Sequence, residues 1–262
     1  MKYVHFYEQY HAHYIDDEDN IYVRPGELHR DISPIGNTFF YLPNGTAFDA
    51  TDSIFVKEDC HSDVFLRQYL KFCNTKKNFC SHVLLMEHKT KLQSFILTDS
   101  AMNIEPTLTD FVEIIKNAAE FNKLLQRTEG FDVDITHVNF LNYAGSFSLK
   151  NKDALTANHL KTYFDINYSG EYYFTNWQLD SCLYPESRKA KKLTIEGDYA
   201  PRIIVAPNIS VGNAIYKCLM KDYNCYGFVV GGDNFAVLNS RSDLDKNDYA
   251  IRILEKIREL DD

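Results

Sequence analysis

An α/β protein built on a layered, mostly parallel sheet is what this 262-residue sequence predicts. Three observations carry the expectation. From residue 53 onward, short apolar runs alternate with stretches of helical spacing. One of these, Arg202 to Val230, reads strand, helix, strand, which implies a right-handed crossover between parallel strands. Hydrophobic residues make up 45% and charged residues 25%, the balance of an ordinary folded chain rather than a disordered or fibrous one.

Taken in order, Ser53 to Lys57 is a short apolar strand, and Val64, Phe65, Tyr69, Leu70 and Phe72 mark the helix after it. Val83 to Met86 and Ser94 to Leu97 read as two strands around a polar turn. Thr107, with Asp110 three positions on, opens a long helix that carries Phe111, Ile114, Ile115, Ala118, Phe121, Asn122 and Leu125 at helical spacing. A strand from Val133 to Phe140, a helix around Lys152 to Tyr163 and an aromatic stretch with Tyr172, Tyr173, Phe174 and Trp177 follow. The basic run Arg188 to Lys192 reads as a solvated helix end. Beyond strand 202–206, helix 211–223 and strand 226–230 come a strand at Phe235 to Leu238 and a closing helix from Asn247 to Leu260.

The first fifty residues differ. Pro25, Pro34 and Pro43 alternate with Gly26, Gly36 and Gly45 like turn punctuation, with short aromatic strands such as Thr38 to Leu42 between them, so residues 1–50 read as a β-rich or irregular segment. His11 and His13 lack a further ligand at a diagnostic spacing and read as surface residues.

Composition excludes several classes. A net charge of -9 argues against gripping a nucleic acid backbone. Apolar stretches such as Arg202 to Ala206 are far shorter than the roughly 20 residues of a membrane span. The start, MKYVHFYEQYHAHYIDDED, has neither a continuous apolar core nor a small-residue cleavage site, and the reading is cytoplasmic. The six cysteines, Cys60, Cys73, Cys80, Cys182, Cys218 and Cys225, are irregularly spaced and form no CxxC pair, which fits reduced structural thiols. No P-loop, dinucleotide fingerprint, HExxH or GxSxG pattern occurs. Gly231-Gly232 follows a strand, where backbone amides can approach an anion.

A resemblance goes further than composition. PRIIVAPNISVGNAIYKCLMKDYNCYGFVVGG and FAVLNSRSDLDKNDYAIRILEKI resemble the carboxy-terminal part of phosphate acetyl- and butyryltransferases, with a proline-containing turn, a Gly-Asn pair opening a helix and a late Ser-Arg. FILTDSAMNIEPTLTDFVEIIKNAAEFNKLL is similar to the family's aspartate-containing strand end, its turn and long helix, with Ser81-His82-Val83 upstream. Weaker likeness reaches SIFVKEDCHSDVFLRQYL and WQLDSCL, so the resemblance runs from about Thr51 to the end and is nearer the butyryl-type branch.

The resemblance implies a two-domain fold like that of isocitrate and isopropylmalate dehydrogenases, with an interdomain cleft and a reduced first domain: residues 51–127 plus 239–262 as one domain and 128–238 as the other. It implies a cytoplasmic homodimer that transfers a short-chain acyl group between coenzyme A, as a substrate, and inorganic phosphate, with no metal and no nucleic acid or membrane partner. By the same resemblance Ser240, Arg241 and the displaced acid Asp248 are the catalytic residues, with Lys57, Lys77 and Arg241 binding phosphate. Asn213, Tyr216, Gly231 and Gly232 are the coenzyme A residues, and Asp99 and Asn103 lie in the matched central block. Arg241 suits phosphate because a planar guanidinium offers two parallel donors. A base is needed because the thiolate, not the thiol, is the nucleophile.

The sequence also departs from the family. The aspartate expected after Ser-Arg is Asn247, and an amide cannot accept a proton as a carboxylate does. Asp233 and Asn234 replace a basic residue after the glycine turn, Lys76 and Lys77 stand near an expected arginine, and the first fifty residues are dissimilar. These departures sustain an alternative, a catalytically degenerate acyl-CoA-binding or regulatory homologue. A dehydrogenase of similar fold lacks the expected metal-binding aspartates.

Overall fold

The computed structural model describes residues 1–7, 20–32, 38–42, 47–49, 53–73, 79–132, 134–142, 151–193 and 200–260. His11, His13 and Lys77 lie outside them. In chain order the elements are β1 (Lys2–Phe6), β2 (Asn20–Val23), β3 (His29–Ile32), β4 (Thr38–Tyr41), β5 (Ala47–Asp49), β6 (Ser53–Lys57), α1 (Ser62–Cys73), β7 (Ser81–His88), β8 (Ser94–Thr98), α2 (Leu108–Thr128), β9 (Thr136–Phe140), α3 (Lys152–Asn167) and β10 (Tyr172–Thr175). There follow α4 (Leu179–Leu183), α5 (Pro185–Ala190), β11 (Ile203–Val205), α6 (Ile209–Leu219), β12 (Tyr223–Val230), β13 (Ala236–Val237), a 3-10 turn (Arg241–Lys246) and α7 (Asn247–Arg258). The chain forms two compact units, Met1–Cys80 with Tyr226–Asp262, and Ser81–Cys225. Positions 127/128 and 238/239 fall inside the second and the first unit respectively.

In the first unit the strand order is β12–β13–β6–β1–β2. β6 pairs in parallel with β13 and β1, and β1 with β2, whereas β12 and β13 are antiparallel. All five residues of β6 are buried, as expected of a parallel strand covered on both faces. The amino-terminal segment therefore adds two strands to this sheet. Its remaining strands form a separate antiparallel sheet, β3–β4–β5, whose Phe40 meets Phe55 and Phe72 edge-on at 5.5 and 5.6 Å. Helix α1 buries Phe65, Tyr69 and Phe72, and the Tyr69 hydroxyl donates to the Asn234 carbonyl. Helix α7 buries Ala250, Leu254 and Ile257.

In the second unit the order is β10–β9–β11–β8–β7, parallel throughout except for the β7/β8 hairpin. β11 is flanked by β8 and β9 on its two edges, so the strand that follows α6 is not its neighbour. Local spacing shows the crossover helix but not how many strands it passes. Helix α2 starts with the expected reciprocal cap: the Asp110 amide donates to Thr107 Oγ1 at 3.3 Å and the Thr107 amide to Asp110 Oδ2 at 2.8 Å. Two polar atoms of α2, Asn122 Nδ2 and Gln126 Oε1, are buried without a protein partner and belong to residues lining a cavity of about 30 Å³, the share of one water molecule. Lys189, Lys191 and Lys192 are exposed, as the reading of a solvated basic run expects, and Arg188 is the exception. It is buried and donates to the Ser181 and Cys182 carbonyls at 2.9 and 3.3 Å, tying α5 to α4.

Gly212 lets α6 approach the end of β8. A β-carbon there would lie 2.6 Å from the Asp99 carbonyl oxygen and 3.0 Å from Ser100 Cα, both backbone atoms. Gly212→Ala should therefore cost about 1–3 kcal/mol through overpacking. Thr107→Ala, which removes an exposed cap, should cost about 1 kcal/mol. Urea unfolding of the two variants checks both values.

Candidate functional site

In open α/β sheets ligands gather at the carboxyl ends of parallel strands, where loops and helix starts leave backbone amides and side chains free. In the first unit β6 and β13 run in parallel with Val56 opposite Val237, so the segments that leave them are adjacent. The first is Lys57-Glu58-Asp59-Cys60 and the second Asn239-Ser240-Arg241.

Lys57 is buried, and its Nζ donates to the Glu58 carbonyl at 3.1 Å. Burial pulls its pKa below the usual lysine range, the field of Cys60 opposes this, and the nearby Arg241 cation lowers it further. Arg241 is open to solvent, with Nε 3.6 Å from Asp59 Oδ1. Ser240 is half-buried and accepts from the Ser242 hydroxyl at 3.1 Å, while its carbonyl accepts the Asp243 amide at 2.9 Å. The structure thus brings Ser240, Arg241 and Lys57 into one neighbourhood. Asp248 is exposed in the first turn of α7.

Beneath this neighbourhood runs a chain of hydrogen bonds. The Gly227 amide donates to Asn239 Oδ1 at 2.7 Å, and Asn239 Nδ2 donates to Asn247 Oδ1 at 2.9 Å. Asn247 Nδ2 then donates to the Lys57 carbonyl at 3.1 Å and to Glu58 Oε2 at 3.0 Å. His5 Nδ1 lies 2.8 Å from Glu58 Oε1, its Nε2 lies 3.1 Å from Asn20 Oδ1, and the ring stacks on Tyr22 with centroids 4.9 Å apart. Sequence reasoning missed His5, Glu58 and Asn239. The available signal was Lys57-Glu58-Asp59, three charges in a row after the apolar run Ile54-Phe55-Val56. Asp243 was also missed. It is buried and bound to Lys246 Nζ at 2.8 Å.

Gly231 and Gly232 form the turn between β12 and β13, and Gly231 has φ +86°, a conformation that favours glycine. Both glycines are half-buried, and Asp233 follows them.

In the second unit the parallel strands β8, β11, β9 and β10 end together in polar segments. Asp99 is buried, and four donors saturate its carboxylate: the His82, Ala101 and Met102 amides at 3.0, 3.0 and 2.9 Å and Asn103 Nδ2 at 2.6 Å. It organises the turn after β8, beside Gly212 of α6. Asn213 is exposed on α6. Tyr216 packs in the apolar cluster with Leu97, Trp177 and Ile204, and Lys217 Nζ sits 4.7 Å from its ring centre. Among the described residues no group of three or more His, Cys, Asp or Glu is placed to hold a metal ion, and no helix is long and apolar enough to cross a membrane.

Residues 56–254 match the phosphate acetyl/butaryl transferase family. The chain belongs to that family. Its members act on acyl-CoA and phosphate, and the chain is a phosphate acyltransferase by class. Among solved structures it is similar to a branched-chain phosphotransacylase from Enterococcus faecalis V583, with 27% identity, a TM-score of 0.66, and coverage of 78% of this chain and 73% of that one. It shares its fold with the EutD phosphotransacetylase from Staphylococcus aureus at 17% identity and a TM-score of 0.56, covering 78% of this chain and 62% of the other. A phosphotransacetylase from Streptococcus pyogenes gives 19% identity, a TM-score of 0.55, and 79% and 63% coverage. The chain thus spans less than two thirds of the length of these last two. No curated protein matches the chain.

Two outcomes follow from the burial of charged and thiol groups. The folded pKa of Lys57 lies below its unfolded value, so between the two the unfolded chain binds more protons and stability rises with pH. Lys57→Met should accordingly stabilise the protein near neutral pH and lose that advantage as pH climbs through the lysine range, as read from denaturant midpoints at several pH values. Of the five described cysteines only Cys218 is exposed, and burial pushes the Cys80 thiol up to about 11. A thiol reagent should label Cys218 in the native state, and Cys60, Cys80, Cys182 and Cys225 only on unfolding, as mass spectrometry of digests would record.

Proposed function

We propose that the chain transfers a short, branched acyl group between coenzyme A and inorganic phosphate. The single observation that carries this is the pair of cations, Lys57 and Arg241, at the adjoining carboxyl ends of β6 and β13, with the Ser240 hydroxyl beside them. Its branched-acyl detail is supported by the likeness to the Enterococcus protein at 27% identity.

In this reading the coenzyme A thiolate attacks the carbonyl carbon of an acyl phosphate. The carbon–oxygen bond to phosphorus breaks and phosphate leaves. Arg241 holds the phosphate with parallel donors, and the buried Lys57 adds positive charge behind it. Ser240 donates to the carbonyl oxygen as charge develops there. Gly231 and Gly232 offer turn amides, and Asn213, exposed on α6, contributes to coenzyme A binding. Tyr216 contributes by holding α6, and with it Asn213, in place. The finer expectations of an isocitrate dehydrogenase-like architecture, a homodimer and a cytoplasmic setting belong to the same reading, and sedimentation measures the assembly.

One observation favours a second reading, a degenerate acyl-CoA-binding homologue: Asn247 is a buried amide whose hydrogen bonds are spent on structure. Titration calorimetry with coenzyme A and butyryl-CoA, followed by a thiol-release assay with phosphate, separates the two. Binding with phosphate-dependent release supports the acyltransferase, and binding without release supports the homologue.

Arg241 gives a sharper test. Its ion pair with Asp59 joins two side chains that are 46% and 56% exposed, so the pair adds little to stability. Arg241→Ala should leave the unfolding midpoint unchanged and lower phosphate-dependent thiol release by about 100-fold. Arg241→Lys should recover only part of that loss, because an ammonium cannot reproduce the two-point grip.

A further inference from the structure

The reaction proposed above needs a group to take the thiol proton, and the carboxylates around Arg241 differ in how well they suit that task. Asp59 is ion-paired to Arg241 itself and more than half exposed. Asp243 is buried against the Lys246 ammonium, which holds it in place as an anion's partner. Asp245 and Asp248 are exposed on the turn and on the first turn of α7. Glu58 is different from all four. Its side chain is 13% exposed, a small opening in an otherwise closed setting. One oxygen is held by His5 at 2.8 Å and the other by Asn247 at 3.0 Å. Each of these partners is itself fixed, His5 by Asn20 and the Tyr22 stack, and Asn247 by Asn239 and the Lys57 carbonyl.

From this we infer that Glu58 is the general base of the acyl transfer and that His5 is its positioning residue. The inference rests on the acyltransferase reading. A carboxylate has about four lone-pair positions on its two oxygens, so the two described bonds leave room for a proton. The thiol proton passes to a Glu58 oxygen, the resulting thiolate forms the carbon–sulfur bond, and the carbon–oxygen bond to phosphate breaks. In the opposite direction phosphate displaces the thiolate, which recovers the proton from Glu58. The Asn247 amide, unable to act as a base, serves as the donor that aims this carboxylate. His5 comes from the amino-terminal segment that adds β1 and β2 to the sheet, which gives that segment a part in the chemistry.

Steady-state kinetics of the full chain, with coenzyme A and butyryl phosphate as probes, tests the inference. Glu58→Gln keeps the shape and an acceptor for Asn247, and should lower kcat by about 100-fold or more, with KM for butyryl phosphate within about threefold of the parent. In Glu58→Ala, added formate should restore turnover in proportion to its concentration, a response that a purely structural role would not produce. His5→Ala should lower kcat and His5→Gln should recover part of it, while Asp245→Asn, on the exposed turn, should stay near parental activity. Parental turnover in folded Glu58→Gln, or loss of turnover in Asp248→Asn instead, overturns the assignment of Glu58 alone. Absence of turnover of coenzyme A and butyryl phosphate by the parent protein overturns the acyltransferase reading and this inference with it.

Discussion

The hydrogen-bond chain Gly227–Asn239–Asn247–Glu58–His5 is the constraint on which the rest of the first unit depends. It links β12, the exit of β13, the start of α7, the exit of β6 and the end of β1 through side chains that are mostly closed to water. Each donor or acceptor in such a setting costs about 1–3 kcal/mol when left unsatisfied. The chain therefore fixes where the exits of β6 and β13 lie, and with them Lys57, Ser240 and Arg241. An amide at position 247 suits this role because it donates and accepts at once. It accepts from Asn239 and donates to Glu58 and to a backbone carbonyl. An aspartate in its place would accept only.

The same geometry explains the division of labour among the charges. Lys57 carries the desolvation cost of burial inside the sheet, and its ammonium finds a carbonyl one residue away. Arg241 makes the opposite compromise: it stays in water, with Asp59 3.6 Å from its Nε. One cation is positioned but costly, and the other is exposed and cheaply solvated. A phosphate site benefits from both, since the first sets the field and the second supplies the directed donors.

In the second unit the constraint is steric. Asp99 accepts three hydrogen bonds from the turn after β8 and a fourth from the His82 amide of β7, and Gly212 then brings the start of α6 against that turn. Asn208 caps the same helix by accepting the Val211 amide at 3.0 Å. The polar ends of four parallel strands and a tightly held helix start are thereby gathered on one side of the sheet. Tyr216, one turn on from Gly212 and on the same buried face of α6, packs inside the apolar cluster, which is why the helix keeps its place.

Much of the element order from residue 53 onward was legible in the sequence. Ser53–Lys57, the capped helix after Thr107 and the closing helix from Asn247 all reflect local physics: apolar runs, a capping pair three residues apart, and a helical stripe. The late Ser-Arg and the blocks around Asp99 and Gly212 were legible as well, because they are contiguous. What only the tertiary structure decided were pairings between distant residues. Asn247 and Glu58 are 189 positions apart, and His5 and Glu58 are 53 apart, so no periodicity or spacing joins them. The amino-terminal strands were hidden for the same reason: β1 and β2 are short, and only their parallel pairing with β6 makes them part of the sheet. A turn or a helix cap is settled by neighbours along the chain, whereas a buried hydrogen-bond chain exists only once strands from both ends of the sequence have closed around it.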